Sequence, residues 1–202
     1  MGIDLKEQEY WNGVERQVAP DSAYITDNFD KRRALIHELS QYTFTGASVL
    51  EIGTGNGVTA HLVRSINVPM TYKGIDVSDK FAETARRLLK LDVTVGDASE
   101  LPWEDGSFDA VWAFDCLEHI APYKREKMFK EVRRILRPHG LIFINNPLDE
   151  HTTGHDKDFD FGFTEDDIAA FCKETGTRIL SLKTIESQKR QYQFIVLSPL
   201  AE

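Results

Sequence analysis

The chain has 202 residues, 24 basic against 33 acidic side chains for a net charge of −9, and 41% apolar residues. These values describe a soluble globular chain long enough to bury roughly 70% of its unfolded surface. They exclude a disordered chain, and with only Cys116 and Cys172 they exclude a disulfide scaffold. Two cysteines point to a reducing compartment. The acidic balance speaks against a general nucleic-acid binder or a binder of anionic membranes. Met1–Lys6 lacks an apolar signal core, and no apolar run approaches the ~20 residues of a membrane helix. The expectation is a cytoplasmic protein without membrane contact.

Residues 1–45 are expected to form a helical N-terminal cap, with helices near Leu5–Trp11 and over Phe29–Tyr42. The latter places Ala34, Leu35 and Leu39 on one side. From residue 46 onward strands and helices alternate. Ser48–Ile52 reads as a buried strand, Val58–Ile66 as a helix and Thr71–Ile75 as a second strand. Lys80–Lys90 follows with Ser78 as N-cap and Phe81, Ala85, Leu88 and Leu89 at helical spacing. Val93–Val95 and Phe108–Phe114 are the third and fourth strands. Tyr123–Leu136 is a helix with a stripe of Phe129, Val132 and Leu136, stopped by Pro138 and Gly140. Leu141–Asn145 is the fifth strand. Thr164 opens a helix with Asp167 completing a capping box. Arg178–Ile185 and Tyr192–Leu197 are two strands with no helix between them, so they pair antiparallel. The fold class expected is α/β: a Rossmann-like, doubly wound, seven-stranded sheet, mostly parallel, with a C-terminal antiparallel hairpin.

The sharpest motif is Glu51-Ile-Gly53-Thr54-Gly55-Asn-Gly57, between a strand and a helix. Glycines there admit positive φ and a close backbone approach to a ligand. Ligands of open α/β sheets sit beyond the carboxyl ends of the strands. A dinucleotide loop has Gly-x-Gly-x-x-Gly, whose sixth position is Val58 here, with Gly57 one residue early. It also seats a pyrophosphate, which Glu51 would repel. A carboxylate in this place suits a cationic ligand group. Asp76 ends the second strand, where a carboxylate accepts hydrogen bonds from ribose hydroxyls, and Asp97 follows the third.

The segments Val49–Gly57, Gly74–Ser78, Gly96–Trp103, Phe108–Val111, Leu117–Ile120 and Leu136–Gly140 together resemble class I S-adenosylmethionine (SAM)-dependent methyltransferases. The resemblance is closest to the small-molecule branch that includes ubiquinone-type O-methyltransferases, and it covers residues 47–146. It implies that residues 46–202 are a SAM-binding domain. It further implies that the Glu51–Gly57 loop, Gly53, Thr54, Gly55 and Gly57 included, cradles the methionine part with Glu51 near its ammonium. Asp76 would hold the ribose hydroxyls, Val77 would lie against the adenine, Asp97 would meet the adenine amino group and the Ala98 backbone its ring nitrogen. Phe114 would flank the methionine tail. His139 departs from the glycine that the family usually has there, at the far end of the sheet from the site.

A methyl donor that is already activated needs mainly alignment of a nucleophile and exclusion of water. A hydroxyl or protonated amine also calls for a base, and His119, with an ordinary pKa of ~6.5, is the candidate catalytic residue. It competes with a histidine that only packs in the loop. Asp115, Glu118 and His119, completed by His151 or His155, form an alternative carboxylate–imidazole metal set, though no metal is assigned. Residues 145–163 read as a substrate wall that alternates Phe159, Phe161 and Phe163 with acids such as Asp156, Asp158 and Asp160 around a single Lys157. The resemblance implies that Tyr10, Trp11 and Tyr24 close over the cofactor, against the alternative that these aromatics only pack their helices. The basic run Lys124, Arg125, Lys127, Lys130, Arg133, Arg134 and Arg137 reads as a solvated helix face. The resulting expectation is methyl transfer from SAM, giving S-adenosylhomocysteine (SAH), to oxygen or nitrogen of a small molecule, with no nucleic-acid or membrane partner. An RNA or protein methyltransferase and a non-catalytic SAM-binding protein are the alternatives. The sequence carries no sign of oligomeric state.

Overall fold

The computed structural model describes residues 3–14, 29–65, 69–148, 159–187 and 190–200. In chain order the elements are α1 (Leu5–Asn12), α2 (Phe29–Leu39), β1 (Ser48–Ile52), α3 (Val58–Ser65), β2 (Thr71–Asp76), α4 (Asp79–Leu89) and β3 (Val93–Val95). Then come β4 (Phe108–Phe114), a 3-10 turn (Leu117–His119), α5 (Pro122–Ile135), β5 (Leu136–Pro147), α6 (Glu165–Thr175), β6 (Thr177–Ser187) and β7 (Arg190–Pro199). The helix starts follow local chemistry. Asp4 caps α1 by accepting the Lys6 amide at 2.9 Å. Ser78 caps α4 through the Phe81 amide at 3.1 Å. Thr164 and Asp167 form the expected capping box of α6.

One seven-stranded sheet runs β3-β2-β1-β4-β5-β7-β6. The first five strands are parallel, and β7 inserts antiparallel between β5 and β6. Side chains alternate along each strand, so each face of the sheet buries its own core. Val49, Ala110, Trp112, Phe143 and Phe194 face α2, α3 and α4 through Leu35, Leu39, Ala60, Val63 and Ala85. Leu50, Val111, Ile142, Ile144 and Ile195 face α5 and α6 through Met128, Phe129, Val132, Ile135, Ile168 and Phe171. Helices on both faces make the sheet doubly wound. Because β1 pairs with β2 on one side and β4 on the other, the chains leaving β1 and β4 diverge and open a crevice at their carboxyl ends.

Three local expectations are corrected. Helix α2 ends at Leu39 rather than Tyr42, closed by Ser40 and Gln41 turning back on it. Strand β5 begins at Leu136, straight out of α5, instead of at Leu141. Leu136 pairs with Phe108, and a register shift between Phe108 and Ala110 absorbs the irregular stretch around Pro138 and Gly140. Leu88 is half exposed rather than core, because Phe81 and Ala85 already fill the buried side of α4. Tyr24, His151, His155, Asp156, Lys157 and Asp158 lie outside the described residues.

Candidate active site

Strand β1 delivers Glu51 to the crevice almost fully buried, at 3% exposure. Its Oε2 accepts the Tyr72 hydroxyl at 2.5 Å, and Thr54 Oγ1 donates to the Glu51 carbonyl at 3.3 Å. Burial pushes the Glu51 carboxyl up to about 8, against the Tyr72 hydrogen bond, which pulls it down. Tyr72 reaches it from β2 because Gly74, opposite Glu51 in the register, has no side chain. A Cβ on Gly74 would stand 2.3 Å from Thr54 Oγ1 and 3.0 Å from the Tyr72 hydroxyl.

The loop glycines divide by what surrounds them. A Cβ on Gly53 would lie 2.4 Å from Cys116 Cβ, and one on Gly57 would lie 2.4 Å from Leu91 Cδ1. Both are therefore required by packing inside the protein. Gly55, at φ +56°, faces open space. It is the one loop glycine whose missing side chain leaves room for a ligand. Its amide donates to Asp76 Oδ2 at 2.7 Å, which ties the loop to the end of β2. Asp76 Oδ1 takes the Ser78 amide at 2.9 Å. Burial pushes Asp76 up to about 6 in spite of these two amides. Each of its oxygens keeps a second lone-pair direction for a further donor.

Past β3, Asp97 is held on both oxygens: the Ser99 amide at 2.8 Å and the Lys124 ammonium at 2.8 Å. Burial alone would raise its pKa, and the Lys124 and Ser99 hydrogen bonds outweigh it and hold the carboxyl below its ordinary value. Val77 and Ala98 are half-buried beside these acids, and the Val77 carbonyl accepts Gln8 Nε2 at 2.8 Å. Phe114 is buried at the end of β4 with its ring 5.7 Å from Trp112.

The chain beyond β4 forms the other wall. Asp115 adopts φ +52° and bonds to Asn145 Nδ2 at 3.1 Å and to Lys31 Nζ at 2.6 Å. Lys31 comes from α2 and lies over the Tyr192 ring at 4.7 Å. His119 Nδ1 meets the Phe159 carbonyl at 2.8 Å. A carbonyl only accepts, so Nδ1 donates this bond, while Nε2 lies 3.8 Å from Glu118 Oε1. The Trp11 ring meets His119 edge-on at 4.8 Å, and Tyr10 stacks on Phe159 at 4.4 Å. Glu118 is buried, and burial, with Asp115 nearby, raises its carboxyl well above the ordinary range. Among the described residues, Glu118 Oε2 and both amide atoms of buried Asn146 have no hydrogen-bond partner. Buried polar atoms without partners are rare, and these lie at the carboxyl ends of adjacent strands. Among the described residues no group of three His, Cys, Asp or Glu side chains could hold a metal ion.

The structure thus brings Glu51, Thr54, Gly55, Asp76 and the Asp97 segment to one end of the sheet, with Phe114 and His119 on the adjoining wall. Tyr72, Lys31, Glu7 and Lys124 were missed. Tyr72 carried a usable signal, since period-two alternation puts it on the face of Gly74. Lys124 was hidden in a run that reads as solvent-facing, yet it is largely buried between two acids.

Residues 50–144 match the family model described as "Methyltransferase domain". The 27-O-demethylrifamycin SV methyltransferase of Amycolatopsis mediterranei is 37% identical over 110 residues, covering 51% of this chain and 39% of that protein. The fatty-acid O-methyltransferase of Mycolicibacterium smegmatis is 30% identical over 149 residues, covering 72% of this chain and 48% of that protein. The chain therefore spans less than half the length of these relatives. A crystal structure of magnesium protoporphyrin IX methyltransferase from Synechocystis PCC 6803 with bound SAH has the same fold, with a TM-score of 0.76 at 14% identity over 97% of this chain and 99% of that one. Over residues 50–144 this chain is thus similar to methyltransferase domains of the class I SAM-dependent kind.

Proposed function

We propose that this chain binds SAM at the β1–β2–β3 end of the crevice and transfers its methyl group to an oxygen of a small, uncharged polar molecule. The observation that carries the reading is the Glu51–Gly55–Asp76 arrangement: two buried acids at adjacent strand ends, joined by an amide that leaves open space above it. These residues fit the cofactor. A buried carboxyl raised to about 8 gains most from a cation, and the ammonium of SAM's methionine part is such a cation. Asp76 keeps acceptor positions for a vicinal diol. Val77 and Ala98 flank the place of a flat ring between β2 and β3.

SAM supplies a methyl on a sulfonium, open to in-line attack. The protein's part is to hold and orient. Phe114 closes the crevice at the end of β4. His119, oriented by its Nδ1 bond to the Phe159 carbonyl, would in its neutral form take a hydroxyl proton on Nε2. Trp11 and Tyr10 shield that end from water. The unpartnered polar atoms of Glu118 and Asn146 suit an uncharged acceptor that both donates and accepts hydrogen bonds. Oxygen as the target is favoured by the names of the two relatives above. A polyanionic acceptor such as RNA is disfavoured, because the basic run on α5 and the start of β5 is largely paired with acids. The test is calorimetric titration with SAH and SAM, followed by a substrate panel of hydroxylated small molecules assayed with His119→Ala as control. His119→Ala keeps SAH affinity and loses turnover by about 100-fold if it is the base. Unchanged turnover removes it from that role.

A further inference from the structure

Helix α1 has eight residues and buries only Trp11. So short a helix is not stable by itself, and one buried side chain does not hold it in place. Beside the aromatic contacts of Tyr10 and Trp11, it has polar attachments that converge on one region. Gln8 Nε2 donates to the Val77 carbonyl at 2.8 Å, and Asn12 Oδ1 accepts the Ser78 hydroxyl at 2.7 Å. Lys80 Nζ donates to the Asn12 carbonyl at 3.0 Å. Glu7 Oε2 lies 2.6 Å from Lys124 Nζ, which is itself 2.8 Å from Asp97 Oδ2. These three charged side chains are only 11–14% exposed. The helix therefore touches the chain just past β2 directly, and the chain just past β3 through one ammonium. On the proposed reading, these two segments flank the adenosine.

We infer that Glu7 and Lys124 are positioning residues for cofactor retention: the Glu7–Lys124–Asp97 clasp holds α1 across the adenosine half of the crevice. The same helix sets Trp11 against His119 and Tyr10 on Phe159, so the clasp also fixes the wall at the methyl-acceptor end. The carboxylate of Asp97 serves the clasp through Oδ2 while its Oδ1 is held by the Ser99 amide. Each of its oxygens keeps a second lone-pair direction for a further donor. Loosening α1 uncovers the adenosine, so its effect falls on dissociation rather than on association.

The inference rests on the SAM reading, and one experiment separates the two. SAH binding and dissociation rate are measured for the unsubstituted protein, Glu7→Gln, Lys124→Met, Lys124→Arg and the Glu7→Gln/Lys124→Met pair. Amide exchange of residues 5–12 is followed in each SAH complex. Glu7→Gln and Lys124→Met each weaken SAH about ten-fold through faster dissociation, the double variant is no worse than Lys124→Met, and Lys124→Arg recovers part of the loss. Protection of residues 5–12 falls while that of the sheet stays. Glu7→Gln leaves the Lys124–Asp97 pair in place, so it carries the test even if Lys124→Met folds poorly. SAH binding with unchanged dissociation in Glu7→Gln overturns the clasp alone. No SAH binding by the unsubstituted protein overturns both the clasp and the cofactor reading.

Discussion

With SAM held by Glu51 and Asp76 as proposed, ligand affinity is expected to depend on pH. Without ligand both carboxyls are raised by burial, to about 8 and about 6. A bound ammonium favours ionised Glu51, and ribose hydroxyls favour ionised Asp76, so binding expels protons. SAH affinity therefore falls as pH drops from 8 toward 6, by at most about ten-fold per pH unit for one proton, and more steeply once Asp76 protonates as well. Calorimetry at pH 7 in buffers of different ionisation enthalpy should report net proton release; no release would contradict the ionic role of Glu51. The same burial costs stability. A carboxyl whose folded pKa is raised contributes stability that is present below its ordinary value near 4.5 and lost as pH rises through about 8. Glu51→Gln should therefore unfold at higher denaturant than the parent at pH 9, by on the order of 3 kcal/mol, while binding SAH more weakly.

At the scale of elements, the β1–α3 loop separates packing from ligand space. Gly57→Ala forces a methyl against Leu91 at a left-handed φ and should cost about 2–4 kcal/mol in chemical unfolding. Gly55→Ala meets no protein atom, so it should cost only about 1 kcal/mol for its backbone strain, yet reduce SAH affinity. Equal losses of stability in the two variants would remove this distinction. Thr164→Ala should cost α6 about 1 kcal/mol without touching the site. Elements whose signal is local were legible in the sequence. Short, nearly continuous apolar runs marked β1 and β4 to the residue, and the caps Ser78 and Thr164 placed α4 and α6. The start of β5 was hidden because Pro138 and Gly140 read as a stop, while the pairing of Leu136 with Phe108 is decided by tertiary contact. The strand-end acids Glu51, Asp76 and Asp97 were legible because β–α alternation fixes which end of a strand faces the crevice. The Glu7–Lys124–Asp97 clasp was not, since its members lie 117 and 27 residues apart.

For the whole molecule, charge decides between acceptor classes. The net charge is −9, and six of the seven basic residues in the run on α5 and the start of β5 have a carboxylate within ion-pair distance: Lys124, Arg125, Lys127, Lys130, Arg134 and Arg137. Paired cations release few counterions on meeting phosphate, so the protein should elute from heparin or immobilised RNA at low salt. Retention beyond about 0.3 M salt would instead favour an RNA substrate. Among the described residues no helix is long and apolar enough to cross a membrane. The central claim, that the crevice at the β1, β2 and β3 ends is a SAM site, is tested most directly by titrating the protein calorimetrically with SAH, with NAD as control and Asp76→Ala as the reference variant. Stoichiometric SAH binding, no NAD binding and loss of the SAH signal in Asp76→Ala are expected. Absence of SAH binding, or binding that Asp76→Ala leaves intact, would contradict the claim.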